Sequence, residues 1–212
     1  EAAVQLVEQH GGEVTVLTLG PAEAEEQLRT AVSVGAAKAV LVPIDGQDWD
    51  PQRTASAIAS VVKELENANG TFDLILFGNE SADSCGYQVG VRAALKLSRS
   101  MVNGAKGIEI DGTSAKIRRE SDAGQDIYVL PMPAAVGVKE GINLPRYPTM
   151  KGRLASKKVD VSRTEATASV GGLKMIQLQR PPERASNTQI LGTGPEAASA
   201  IVDLLEELGV FK

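Results

Sequence analysis

One cysteine, one histidine and one tryptophan occur in the 212 residues, and aromatic residues make up 3% of the chain. A lone cysteine, Cys85, excludes an internal disulfide and fits a reducing compartment. With His10 as the sole imidazole, no Ser-His-Asp set can be assembled, and no His/Cys cluster has metal-ligand spacing. His10 precedes Gly11-Gly12 and reads as a helix end. So few aromatics leave no stacking platform for bases, and a formal net charge of −5 gives no general basic field for nucleic acid. Apolar runs such as Leu74-Ile75-Leu76-Phe77 are far shorter than a membrane span. No basic-then-apolar leader opens the sequence, so nothing signals secretion. The hydrophobic fraction of 42% and charged fraction of 23% are those of a folded globular chain, with room for one large domain or a domain and an extension.

The first half alternates two periods. Glu1 to Gln9 reads as the tail of an amphipathic helix stopped by Gly11-Gly12. Val14–Leu19, Ala39–Val42 and Leu74–Phe77 are strand-like and apolar on both faces. Between them lie helical patterns: one after Gly20-Pro21, and one opened by Asp50-Pro51 and running to about Leu65. A further helix is expected from Gln88 to Leu97. Such alternation predicts an α/β fold with a parallel sheet, whose ligands sit beyond the carboxyl ends of the strands. After Leu97 the texture changes. Val102–Ile110, Ala115–Glu120 and Gln125–Leu130 are short β-like runs separated by turn signals, and Pro133–Val138 resembles one more core strand. An antiparallel addition to the α/β core is expected there. Residues 159–194 lack periodicity apart from a candidate strand, Leu173–Leu178. Glu196–Leu208 is an amphipathic helix pattern. A long arm ending in a helix suits packing on a partner subunit or back on its own domain.

Two stretches carry candidate chemistry. Gly78–Gly90, GNESADSCGYQVG, joins a core strand to a helix. Its small residues let a backbone approach a ligand, and amides at the start of the Gln88 helix suit an anion such as phosphate. No G-x-x-x-x-G-K-[ST] and no G-x-G-x-x-G is present, so a connector with a helix cap is the plainer alternative. The second stretch is VKEGINLPRYPTMKGRLASKK, Val138 to Lys158. Pro145 and Pro148 predict a segment without regular helix. Leu144, Tyr147 and Met150 lie among Arg146, Lys151, Arg153, Lys157 and Lys158. A nucleic-acid patch, a membrane-surface loop, a docking arm and a linker all suit that composition. The acidic balance and scarce aromatics remove the first, and the lack of an expected amphipathic helix weakens the second.

Taken together, GNESADSCGYQVG, RRESDAG at Arg118–Gly124, and EGINLPRYPTMKGRLASKK resemble the beta subunit of electron transfer flavoprotein, as does GGEVTVLTLGPAEAEEQLRTAVSVGAAKAVLV. The resemblance runs through nearly the whole chain in order. It implies a Rossmann-like, HUP-like parallel-sheet nucleotide-binding core over residues 1–158, with a recognition loop at 138–160, and a C-terminal arm and helix at 159–212 that pack on an alpha subunit. It implies no catalytic side chain and no metal. The cofactors it implies are FAD, shared with the alpha subunit, and AMP or a second FAD in the beta subunit. The nucleotide would meet Leu19 and the loop Gly78, Asn79, Glu80, Ser81, Ala82, Asp83, Ser84, Cys85, Gly86, Tyr87, Gln88, Val89 and Gly90. Partner contacts would come from Leu144, Pro145, Arg146, Tyr147, Pro148, Met150, Lys151 and Arg153, with Met150 as apolar anchor, and from Glu120, which would meet the partner's FAD domain. The implied partners are acyl-CoA or related dehydrogenases as donors and a quinone oxidoreductase as acceptor, with no nucleic acid and no membrane insertion. A cytoplasmic or mitochondrial-matrix setting follows. An electron-bifurcating member using NADH, or a stand-alone adenine-nucleotide-binding stress-type protein, are the alternatives.

The sequence departs from the family pattern in two places. Members begin with a strand carrying V-K-x-V-P and then N-P-[FY], and neither is present, so Glu1 is expected to fall within the helix that follows that strand. In the loop, Asp83 and Gln88-Val89-Gly90 match, whereas Cys85 stands where many members carry a second acid.

Overall fold

The computed structural model describes residues 1–44, 49–81, 86–167, 171–182 and 188–210. The chain divides into two units, Glu1–Lys174 and Met175–Lys212.

The first unit begins with helix α1 (Ala2–His10), then β1 (Thr15–Gly20), a short 3-10 turn and α2 (Glu25–Ser33), β2 (Lys38–Pro43), and α3 (Pro51–Asn69). Local chemistry explains α3: the Asp50 carboxylate accepts from the Arg53 amide at 2.8 Å, Pro51 supplies a preset φ at the first turn, and Ala55, Ala57, Ala59, Val61 and Val62 are buried. There follow β3 (Leu74–Gly78), α4 (Gln88–Lys96), β4 (Ser100–Asp111), β5 (Ser114–Ser121), β6 (Gly124–Pro131), β7 (Ala134–Val138), α5 (Met150–Lys158) and β8 (Val161–Arg163). In the second unit a 3-10 turn leads into α6 (Ala197–Glu207).

The strands form two sheets. One is parallel, in the order β1-β2-β8; the other runs β3-β7-β4-β5-β6. β3, β7 and β4 are parallel neighbours, and β5 and β6 extend the sheet as antiparallel ribbons, as the turn signals predicted. β4 serves both modes because its register shifts between Val102 and Ala105, where Gly104 sits at φ +76. β2 and β7, paired on both sides, bury Ala39–Val42 and Ala134–Gly137. Among the described residues β1 and β3 each pair on one side only, and their side chains are mostly half-buried. A cavity of about 1060 Å³ lies between them, lined by Val16 and Leu17, by Leu74 and Leu76, by Val7 of α1 and by Val62 of α3.

Two expectations are corrected. The stretch expected to be without helix contains α5, because both prolines stand ahead of the helix and the Thr149 hydroxyl caps it by accepting from the Gly152 amide at 3.0 Å. Among the described residues no strand covers Leu173–Leu178; those side chains are largely exposed, with Leu178 at 88%. β8, three residues long, had no sequence signal; it exists because the open edge of β2 accepts Val161–Arg163 in parallel register.

Candidate functional site

The carboxyl ends of β1 and β3 carry the residues expected to meet a nucleotide. Leu19, one residue from the end of β1, packs against Val40, Val42 and Val61, so its side chain belongs to the core. Gly78 ends β3, and a Cβ added there would meet nothing within 4 Å. Beyond it, Asn79 is half-buried and Glu80 exposed. The Ser81 amide donates to the Gly86 carbonyl at 3.1 Å, which closes the loop into a narrow neck. Ala82, Asp83, Ser84 and Cys85 lie outside the described residues. After the neck, Tyr87 stands at the N-cap of α4 without a side-chain cap, 53% exposed. The first amides of α4 are thus not capped by the Tyr87 side chain, and the positive end of the helix dipole lies at this end of α4. The Gln88 Oε1 accepts from Arg92 at 2.9 and 3.1 Å, while Val89 and Gly90 are half-buried.

Arg119 and Asn79 were not linked by any sequence signal, yet both approach Gly104 at the β4 bulge. A Cβ on Gly104 would lie 3.4 Å from the Arg119 Cδ and 3.8 Å from the Asn79 Oδ1. The Arg119 guanidinium donates to Asp126 at 2.8 Å and lies 5.1 Å over the Tyr128 ring. That hydrogen bond lowers the Asp126 carboxyl and raises Arg119 from their ordinary values. Glu120, next in β5, points to the other face, as strand alternation requires; it is 61% exposed and 4.0 Å from the Lys106 Nζ.

The second cluster is the arm. Leu144, Tyr147 and Met150 are 89%, 92% and 74% exposed. Leu154, missed in the sequence because no apolar period surrounds it, is 57% exposed and one turn from Met150 on α5. Lys151, Arg153, Lys157 and Lys158 are exposed beside them, and Pro145 and Pro148 bracket the approach. Arg146 is not a free cation: it pairs with Glu1 and Glu8 of the α1 region. Its hydrogen bond is the main cause that holds the Glu1 carboxyl down at about 2, and the same donor lowers Glu8. Among the described residues no group of His, Cys, Asp and Glu has a metal-binding arrangement, and no helix is long and apolar enough to cross a membrane.

Residues 1–169 match the model of the electron transfer flavoprotein domain family. The electron transfer flavoprotein subunit beta of Bacillus subtilis (strain 168) is 32% identical over 97% of this chain and 81% of its own length. The Syntrophomonas wolfei subunit beta is 34% identical over 90% of this chain and 73% of its own. That of Mycobacterium tuberculosis (strain ATCC 25618 / H37Rv) is 37% identical over 76% and 62%. With a family match over most of its length and relatives at this identity across nearly all of it, the chain belongs to the electron transfer flavoprotein beta-subunit family.

Proposed function

We propose that this chain is the beta half of a heterodimeric electron carrier of the cytoplasm, which contributes binding surfaces and no catalytic side chain. The observation that carries the docking role is the ridge Leu144–Tyr147–Met150–Leu154. Large apolar side chains this exposed, in one short segment and ringed by Lys151, Arg153, Lys157 and Lys158, suit an apolar pocket in an acidic partner. That partner is an acyl-CoA or related dehydrogenase. FAD, shared with an alpha subunit, takes the electrons and passes them to a quinone oxidoreductase. AMP is the nucleotide of the beta site, its phosphate at the open end of β3 and the leading amides of α4, with Asn79 and Ser81 alongside. Glu120, exposed on the outer face of β5, meets the alpha subunit's FAD domain. Residues 159–212 pack on the alpha subunit; the exposed Ile201, Val202 and Leu208 of the second unit support that reading. The cavity between β1 and β3 supports a further strand of the fold seated there.

Co-purifying the chain with an alpha partner and counting cofactors tests this. One flavin plus one AMP per heterodimer is expected. Two flavins would replace the reading with electron bifurcation from NADH. A stable nucleotide-loaded homodimer would replace it with a stand-alone nucleotide-binding protein.

A further inference from the structure

The docking arm is tied down at both ends by an arginine. At its root, Arg146 Nη1 and Nη2 donate to the two oxygens of Glu8 at 2.6 and 2.8 Å. Its Nε donates to Glu1 Oε2 at 2.9 Å, its Nη2 to Glu1 Oε1 at 2.9 Å, and its own backbone amide to Glu1 Oε2 at 3.1 Å. The Glu1 side chain is only 8% exposed. At the far end, Arg29 of α2 donates through Nη1 to the carbonyls of Ser156 at 2.7 Å and Val159 at 3.1 Å. These are acceptors at the C-terminus of α5, where a helix leaves carbonyls without intrahelical partners. Glu25 holds Arg29 in turn, at 2.7 and 3.0 Å.

Tyr147, Met150 and Leu154 lie strongly exposed between the two clamps, and Leu144 is exposed just ahead of the first. Both clamps use the planar fork of arginine, which binds two acceptors at once and which lysine does not reproduce. A free proline-bracketed segment would sample many conformations and lose that freedom on docking, whereas a segment already fixed loses little.

We propose that Arg146 and Arg29 are positioning residues that hold the arm in its docking conformation before a partner arrives. Arg146 is thereby withheld from the partner, and the steering charge falls to Lys151, Arg153, Lys157 and Lys158. The proposal rests on the docking role given above.

The test uses the heterodimer carrying Arg146→Gln, Arg146→Lys, Arg29→Lys or Met150→Glu, with amide exchange of the arm and steady-state reduction by a dehydrogenase as readouts. Arg146→Gln is expected to speed exchange across residues 143–149 about tenfold. It should also raise the KM for the dehydrogenase about fivefold with little change in kcat. Arg146→Lys restores part of both, and Arg29→Lys speeds exchange at 156–160. Unchanged exchange in Arg146→Gln overturns the clamp. A raised KM with unchanged exchange also overturns it, since Arg146 then touches the partner directly. Faster exchange with an unchanged KM overturns the link to docking. Met150→Glu judges the docking role separately: an unchanged KM there removes it, while the exchange data still decide whether the arginines hold the arm.

Discussion

Gly152 of α5 lies directly on the backbone of Ser33 at the end of α2: a Cβ at position 152 would fall on the Ser33 carbonyl oxygen. The neighbour is backbone, so it has little room to yield. Helix propensity alone would make Gly152→Ala stabilising by about 1 kcal/mol. Overpacking at the crossing opposes that by roughly 1–3 kcal/mol. A net fall in thermal midpoint of a few degrees is expected, at about 2–4 °C per kcal/mol for a chain of this size. A rise would show that α5 can move off α2 freely.

Met150 is the centre of the exposed ridge, and on the proposed docking role a carboxylate there would enter the partner's apolar pocket unpaired. Met150→Glu is expected to weaken electron transfer from a dehydrogenase about tenfold or more, because a buried unpaired charge is costly. Flavin content of the heterodimer should stay the same, since Met150 is a surface residue of α5. Stopped-flow reduction beside a flavin absorbance spectrum checks both halves, and an unaltered transfer rate would sink the assignment.

The hydrogen bond from Arg146 sets the acidity of Glu1. The folded carboxyl titrates at about 2, against an ordinary 4.5. A depressed carboxylate contributes stability above the unfolded value, and that contribution is lost as pH falls from about 4.5 toward 2. Glu8 shifts in the same direction for the same reason. Carbon-13 NMR of the Glu1 carboxyl should show this low titration, and Arg146→Gln should return it toward 4.5. A Glu1 titration that ignores the substitution contradicts the pairing.

Arg99 is buried, its side chain 3% exposed, and joins Glu66 of α3 while donating to the Phe72 carbonyl at 2.6 Å. Glu66 also accepts from the Phe72 amide at 3.0 Å. Arg99→Met leaves a mostly buried carboxylate without its cation. Loss of about 3–5 kcal/mol is expected by denaturant titration. Arg99→Met with Glu66→Gln should recover part of it; equal losses in the single and double variants would show no coupling.

Among the described residues β1 and β3 each have one side without a strand neighbour, toward the cavity between them. Alternate residues of a strand direct their amides to opposite sides, so about half of those in β1 and β3 face that cavity. In the isolated chain these amides are expected to exchange at least about tenfold faster than those of Leu41 and Val136, whose strands are paired on both sides. Equal protection would mean that another strand already covers both edges.

Elements set by local rules were legible in the sequence. Asp50-Pro51 starts a helix because a side-chain acceptor and a fixed φ act within one turn. Val40 and Val42 announced a central strand because apolar residues on both faces leave no side for water. The turns at Asp111–Gly112 and Asp122–Gly124 bounded the ribbons β4-β5-β6 for the same local reason. The approach to the arm, with prolines at 145 and 148, was legible as free of regular helix.

What lay beyond that depended on contacts far apart in the chain. α5 has too few apolar residues to declare itself; it is held by Gly152 on Ser33 and by Arg29, which reaches Ser156 across 127 positions of sequence. Arg146 read as one of the arm's partner contacts, and only the packing of α1 beside the arm turned it into a clamp. Asn79 and Arg119 both come close to Gly104, a proximity that depends on the pairing of β4 with β5 and that no composition records. Sequence determined which segments were helix or strand wherever capping, turns and periodicity act over a few residues. Tertiary structure decided which charges were spent within the chain and which apolar side chains were left exposed, because burial and pairing are properties of neighbours in space.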